Sequence, residues 1–250
     1  MSKPVFPLAD ARTVADDGDD LRFCSTCAFS QACLAEGMDK GQLGELHLLV
    51  EHIGPLHTGD HVFRTGDPFS FIAAVRSGTV KTYVVDGDGR ERVLGFHLPG
   101  EVIGLDAIDD ERYPCCAVAL DTVTLCRFSF SRMAELAAQL PGLQLQLFRL
   151  MSRDIGAANR LAGDWSADQR MAAFLLGISH RLASRGFSAT RFALTMARAD
   201  IGNHLRLASE TVSRVLTRFQ DDGLIVVERR EVELRDLRRL EALAAPLLGA

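Results

Sequence analysis

No run of eighteen apolar residues occurs in this 250-residue chain, which excludes a membrane-spanning helix at the level of sequence. The first twenty residues, MSKPVFPLADARTVADDGDD, hold five acids and no apolar core, so they do not read as an export signal. The expected location is therefore cytoplasmic, a reducing compartment in which clustered cysteines bind metal or carry redox chemistry rather than cross-link. There is no flavin or nicotinamide fingerprint, no paired-carboxylate site and no nucleophile–base motif, so the chain is not expected to be an enzyme. No internal repeat stands out. The charge excess is small, −5 overall. For a nucleic-acid partner the charge on one face matters more than the total.

At 47% hydrophobic and 24% charged, the chain can bury one large core or two modest ones. Residues 1–20 read as a mobile acidic tail. GQLGELHLLVEHI (41–53) puts Leu43, Leu46, Leu49, Val50 and Ile53 at helical spacing and predicts a short amphipathic helix. From Gly54 to Phe130 the texture changes to short alternating runs, HVFRT, TVKTYVV, RVLGFHL and TVTLCRFSF, cut by TGD, SGT, DGDG and LPGE. That pattern predicts an antiparallel β-sandwich or roll, with DGDGR (86–90) as a hairpin turn.

Helical spacing returns after Phe130. MAELAAQL runs to Pro141-Gly142, and LQLQLFRLMSRDIGAANRLA (143–162) continues beyond it. Within that stretch Phe148, Met151, Ile155, Ala158 and Ala162 recur at steps of three and four, a heptad seam suited to a partner helix in a homodimer. Two heptads alone do not separate this from a helix packed on its own sheet, but the partner-helix reading is preferred. A second amphipathic helix over 164–186 opens at Asp164 or Ser166 and stops at Gly186. Residues 192–236 then read as a strand, two helices and a β-hairpin.

The two helices form a helix-turn-helix. ADIGNHL (199–205) turns Ile201 and Leu205 inward, RLA (206–208) is a compact turn, and SETVSRVLTRFQ (209–220) follows with Ser209 as its N-cap. Val212, Val215, Leu216 and Phe219 face inward, while Glu210, Ser213 and Arg214 share the opposite face. Between Arg191 and Gln220 five arginines meet two acids, a local excess of +3. Arg214 can donate twice to guanine, and Glu210 can accept from cytosine. A surface ion pair between the two is the alternative, worth a few tenths of a kcal/mol. The hairpin LIVVERREVELRD (224–236) makes a wing, with Arg229 and Arg230 solvated or facing phosphate.

Three of the six cysteines, Cys24, Cys27 and Cys33, crowd into FCSTCAFSQAC with spacing C-x2-C-x5-C. Thiolates suit zinc and iron–sulfur clusters alike, but three do not complete either. A zinc finger lacks its second pair here, since the nearest downstream histidine is His47. The remaining thiols are Cys115, Cys116 and Cys126, and spacing does not choose among them.

These residues resemble the CRP/FNR superfamily of bacterial transcription regulators, and within it the FNR-type (fumarate and nitrate reduction regulator) branch. The likeness runs from about Phe23 to near Leu234, through SGTVK (77–81), GFHLPGEVIGLDAI (95–108), RLMS (149–152), RGFS (185–188) and LTMARADIGNHLRLASETVSRVLTRFQ. It implies an α+β architecture. A cyclic-nucleotide-binding-like antiparallel β-roll sensor domain with the cysteine segment would occupy 21–137. A long dimerisation helix would occupy 138–163, and a winged helix-turn-helix 164–250. The family's E-x-x-S-R readout falls on Glu210, Ser213 and Arg214 and implies TTGAT-type palindromic half-sites on double-stranded DNA.

The Arg-Ser pair that would grip a cyclic phosphate appears as Pro114-Cys115, so no cyclic nucleotide is expected. LDTVTLC (120–126) aligns with the strand of the distant ligand, implying Cys24, Cys27, Cys33 and Cys126 around a [4Fe–4S] cluster. The resemblance then implies a homodimer favoured by the cluster and reversed by oxygen, with the DGDGR hairpin as a contact for RNA polymerase. Sensing of nitric oxide or thiol oxidation through the same cysteines is the alternative.

Overall fold

A computed structural model of the chain describes residues 33–161 and 163–248. The expected acidic tail, Cys24, Cys27 and Ala162 lie outside the described residues. The chain divides into two compact units. One is built from residues up to Val84 together with Leu94–Ser152, the other from Val85–Val93 with the residues from Arg153 onward.

The first unit opens with helix α1 (Lys40–His47), capped by Asp39, whose carboxylate accepts from Gln42 N in a capping box. The helix expected to reach Ile53 stops here, because Val50–Leu56 is strand β1. Val50 and Ile53 pair with Phe128 and Leu125, and the strand ladder overrides the 3.6-residue spacing. Strands β2 (His61–Phe63), β3 (Phe71–Ser77), β4 (Val80–Val85), β5 (Glu91–His97), β6 (Val102–Ile103), β7 (Cys116–Ala119) and β8 (Val123–Ser129) complete two four-stranded sheets, ordered β1-β8-β3-β6 and β2-β7-β4-β5. The DGDGR turn, in the Val85–Val93 stretch that counts with the second unit, closes as expected, with the Asp86 carboxylate accepting from Asp88 N and Arg90 N at 3.0 and 2.9 Å.

Alternation sorts β3 and β8 between two cores. Phe71, Ala73, Val75, Val123 and Leu125 point into the sandwich, where Phe63 stacks on Tyr113 with centroids 3.9 Å apart. Ile72, Ala74, Cys126 and Phe128 point to the outer face of the same sheet. That face is covered by Leu34, Ala35 and Leu46, by α2 (Phe130–Gln139) through Met133 and Leu136, and by α3 (Pro141–Leu161) through Leu143 and Leu150. Full burial of a side chain such as Leu34 or Met133 contributes about 1.5–3 kcal/mol, so the covering layer is held mainly by apolar contact. A break at Leu140, extended at φ −117°, separates α2 from α3, and Pro141 begins α3, where its missing N–H costs nothing.

In the second unit, α4 (Ala167–Ala183) starts at Ser166 in a capping box with Gln169. Strand β9 (Arg191–Ala193), α5 (Arg198–Leu205), α6 (Ser209–Asp221), β10 (Ile225–Glu228) and β11 (Glu231–Leu234) follow. The three strands form one sheet in the order β10-β11-β9. The chain then adds α7 (Leu237–Leu248), packed on α4, a helix beyond the expected hairpin.

Candidate nucleic-acid interface and cysteine site

Helices α5 and α6 meet across a three-residue turn. Gly202 is what lets them close: a Cβ there would lie 2.7 Å from the Leu207 carbonyl oxygen and 3.4 Å from Val212 Cγ2. Arg206 takes the left-handed conformation, φ 56°, at the end of α5. The first helix position of α6 is Ser209, so Ser209 is not the cap. Ala208 holds the extended cap conformation, and its carbonyl accepts from Val212 N at 3.1 Å. Alanine supplies no side-chain cap hydrogen bond there.

Val212, Val215, Leu216 and Phe219 are buried, and Glu210, Ser213 and Arg214 stand exposed on the outer face, as the periodicity predicts. Arg214 Nη2 donates to Thr211 Oγ1 at 3.1 Å, which fixes the guanidinium along the helix surface. That bond lies within one turn of the helix and does not involve Glu210. Ser213 Oγ donates to the Ser209 carbonyl at 3.1 Å and keeps its lone pairs outward.

The local charge excess is smaller than the count suggests. Arg191 is held by Glu233 at 2.8 Å, and Arg218 bonds to Asp168. Arg206 and Arg214 stay exposed, and Arg198 is half-buried at the start of α5. Burial holds the Arg198 guanidinium below its ordinary pKa, and its buried Nη1 has no hydrogen-bond partner among the described residues. Its half-burial, which no local sequence pattern signals, sets Arg198 apart from the exposed arginines of this region. Arg229, at φ 59°, and Arg230 form the exposed tip of the hairpin.

The cysteines fall into separate environments. Cys126 on β8 pairs with His52 and Ala74 and is half-buried, its Sγ 3.8 Å from His52 Nδ1. Cys33 is also half-buried and packs against the same outer core as Cys126. Cys115 is 1% exposed inside the sandwich, with Sγ 3.4 Å from Asp106 Oδ2. Burial first, and then the Asp106 carboxylate, push its thiol well above the ordinary range. Cys116 points to the opposite side of its sheet beside Tyr83 and accepts from Thr65 N at 3.4 Å. Cys33 and Cys126 are thus two half-buried soft donors on one outer core, and thiolates of that kind suit an iron–sulfur cluster. Among the described residues no three His, Cys, Asp or Glu side chains gather as a metal site.

On α3, Phe148 and Ile155 are 55% and 62% exposed, and Ala158 is exposed beside them. Met151 is half-buried against the outer core. Leu145, 48% exposed, extends the apolar stripe by a turn that the expected seam left out. No helix among the described residues is long and apolar enough to cross a membrane.

Comparison with known proteins agrees with this architecture. Residues 55–139 match the cyclic nucleotide-binding domain, and residues 169–243 match the Crp-like helix-turn-helix domain. The transcriptional activator protein Anr of Pseudomonas aeruginosa is 46% identical over 224 residues, covering 88% of this chain and 92% of that protein. The chain belongs to the FNR-type branch of the CRP/FNR family of transcription regulators. The fumarate and nitrate reduction regulatory protein of Salmonella typhimurium is 38% identical, covering 88% of this FNR-type chain and 90% of its own. Among solved structures, FixK2 from Bradyrhizobium japonicum superposes with a TM-score of 0.70 at 27% identity, over 78% of this chain and 96% of its own. The matched families and relatives are regulators, and the helix-turn-helix makes DNA the partner of this FNR-type protein.

Proposed function

We propose that this chain is an oxygen-responsive transcription activator and repressor, a homodimer holding a [4Fe–4S] cluster on Cys24, Cys27, Cys33 and Cys126. The observation that carries the reading is the placement of Cys126. It faces the segment that bears Cys33, whereas Cys115 and Cys116 point into other parts of the roll. When bound, the cluster supplies a link between that segment and β8 and a centre that oxygen degrades.

The chain's own groups do the rest. Cys126 is fixed by the β1-β8-β3 ladder, so the Cys33 segment is the side that moves. Phe148, Met151, Ile155 and Ala158, with Ala162, form the dimer seam of α3, which sets two recognition helices about one DNA turn apart. Glu210, Ser213 and Arg214 read TTGAT-type half-sites. The exposed hairpin at 86–90 contacts RNA polymerase. No cyclic nucleotide is bound, because Pro114 and Cys115 offer no cation and Asp106 sets a carboxylate beside them.

An anaerobic absorbance spectrum before and after air, with DNA affinity measured on each sample, tests this. A brown protein that bleaches and releases its site is expected. A colourless protein after anaerobic reconstitution with iron and sulfide, still responsive to nitric oxide or thiol oxidants, would replace the cluster reading with direct thiol sensing.

A further inference from the structure

The inward face of α3 is apolar at Leu143 and Leu150, but between them, one turn from each, stands Gln146, only 1% exposed. Its Nε2 donates to the Cys33 carbonyl at 3.2 Å and to Glu36 Oε2 at 2.9 Å. Its Oε1 is buried and has no hydrogen-bond partner among the described residues. A leucine would complete the stripe and leave no polar atom orphaned, so the glutamine is unfavourable for packing alone. What it adds is a donor bonded to the backbone of a cysteine from the far side of the covering layer.

We propose that Gln146 is the positioning residue that couples Cys33 to the dimerisation helix. This rests on the cluster reading above. With Cys33 held as a ligand, its carbonyl stays on Nε2, and α3 keeps the rotation that presents Phe148 and Ile155 outward. With Cys33 released, the turn over Cys33–Glu36 shifts, and with it the two acceptors that the buried amide holds at the ends of that turn. The helix re-seats to satisfy it, because an unpaired donor in an apolar layer is costly. The signal thus passes from ligand to backbone carbonyl to helix face within a single hydrogen bond of the cysteine.

The test is sedimentation of cluster-loaded and cluster-free protein, wild type against Gln146→Met, which keeps an unbranched chain of similar volume. Visible absorbance of each sample confirms loading. Loaded Gln146→Met retains its colour, while the ratio of dimer constants between the loaded and cluster-free states falls by about two- to tenfold, the range one buried hydrogen bond supports. A residue that only stabilised the fold would shift both states together and leave the ratio unchanged, which would overturn the proposal.

If Gln146→Met fails to fold, the paired exchange Gln146→Glu with Glu36→Gln restores a bond between those side chains and sets a carboxylate against the Cys33 carbonyl. Loss of the ratio there supports the role of Cys33, and a full wild-type ratio overturns it. A wild type whose dimerisation ignores the cluster, or that takes up none, sinks the underlying reading itself. A wild type that switches beside variants that switch equally sinks this inference alone.

Discussion

Of the five buried polar or charged residues among those described, Thr79, Lys81, Thr82 and Gln146 belong to the unit of the roll, and only Ser179 belongs to the unit of the winged helix. The roll also takes in Cys115. In the second unit Glu210, Ser213 and Arg214 are left on the surface, and buried positions of α6 are apolar. A sensing unit gains from polar groups inside, where losing a partner is expensive enough to move a helix. A reading unit gains from polar groups outside, already oriented and released to a ligand without refolding.

The largest test of that contrast is chemical. Cys126→Ala is expected to abolish the visible absorbance of the reconstituted protein, whereas Cys115→Ala and Cys116→Ala keep it. Retention in Cys126→Ala with loss in Cys115→Ala would transfer the ligand to the sandwich interior.

In the reading unit, Arg214→Ala is expected to cost about 1–3 kcal/mol at a specific site and to leave the melting temperature unchanged. Equal weakening on unrelated DNA would make Arg214 a phosphate contact.

A smaller effect concerns pH. Burial pushes the Cys115 thiol above its ordinary value near 9.0, and burial likewise raises the Tyr113 phenol, whose hydroxyl donates to the Phe71 carbonyl at 2.7 Å. Both groups stay neutral in the folded state while the unfolded chain ionises. Their stabilisation is therefore complete below the unfolded pKa and declines as pH rises past about 9. The urea midpoint of cluster-free protein should fall in that alkaline range, less steeply in Cys115→Ala. An identical slope in that variant would mean the thiol is not the titrating group.

The smallest change is expected at Arg206, whose left-handed backbone costs roughly 1 kcal/mol relative to glycine. Arg206→Gly should raise thermal stability by about that amount. A concurrent loss of DNA affinity would assign the Arg206 side chain to the interface.

Much of the fold is legible in the one-dimensional pattern. Alternation marked β2, β4, β5 and β8, and the 3.6-residue period marked α3, α4 and α6. β3 and β7 gave no alternation because FIAAVRS includes residues facing both cores and all of CAVA is buried. The helix over 41–53 was overextended because Leu49, Val50 and Ile53 satisfy both periods, and pairing with β8 decides between them. Ser209 looked like a cap because serine favours that place, yet the turn after Arg206 sets the cap one residue earlier.

The sequence by itself determined the family, the succession of roll, long helix and helix-turn-helix, and the exposed triad Glu210, Ser213 and Arg214, because these follow from residue type and local period. Tertiary structure decided which later cysteine shares a face with Cys33, which arginines keep their charge available, and that Gln146 lies beneath the cysteine segment. Each of those is a contact between residues more than forty positions apart, and no local period carries that information.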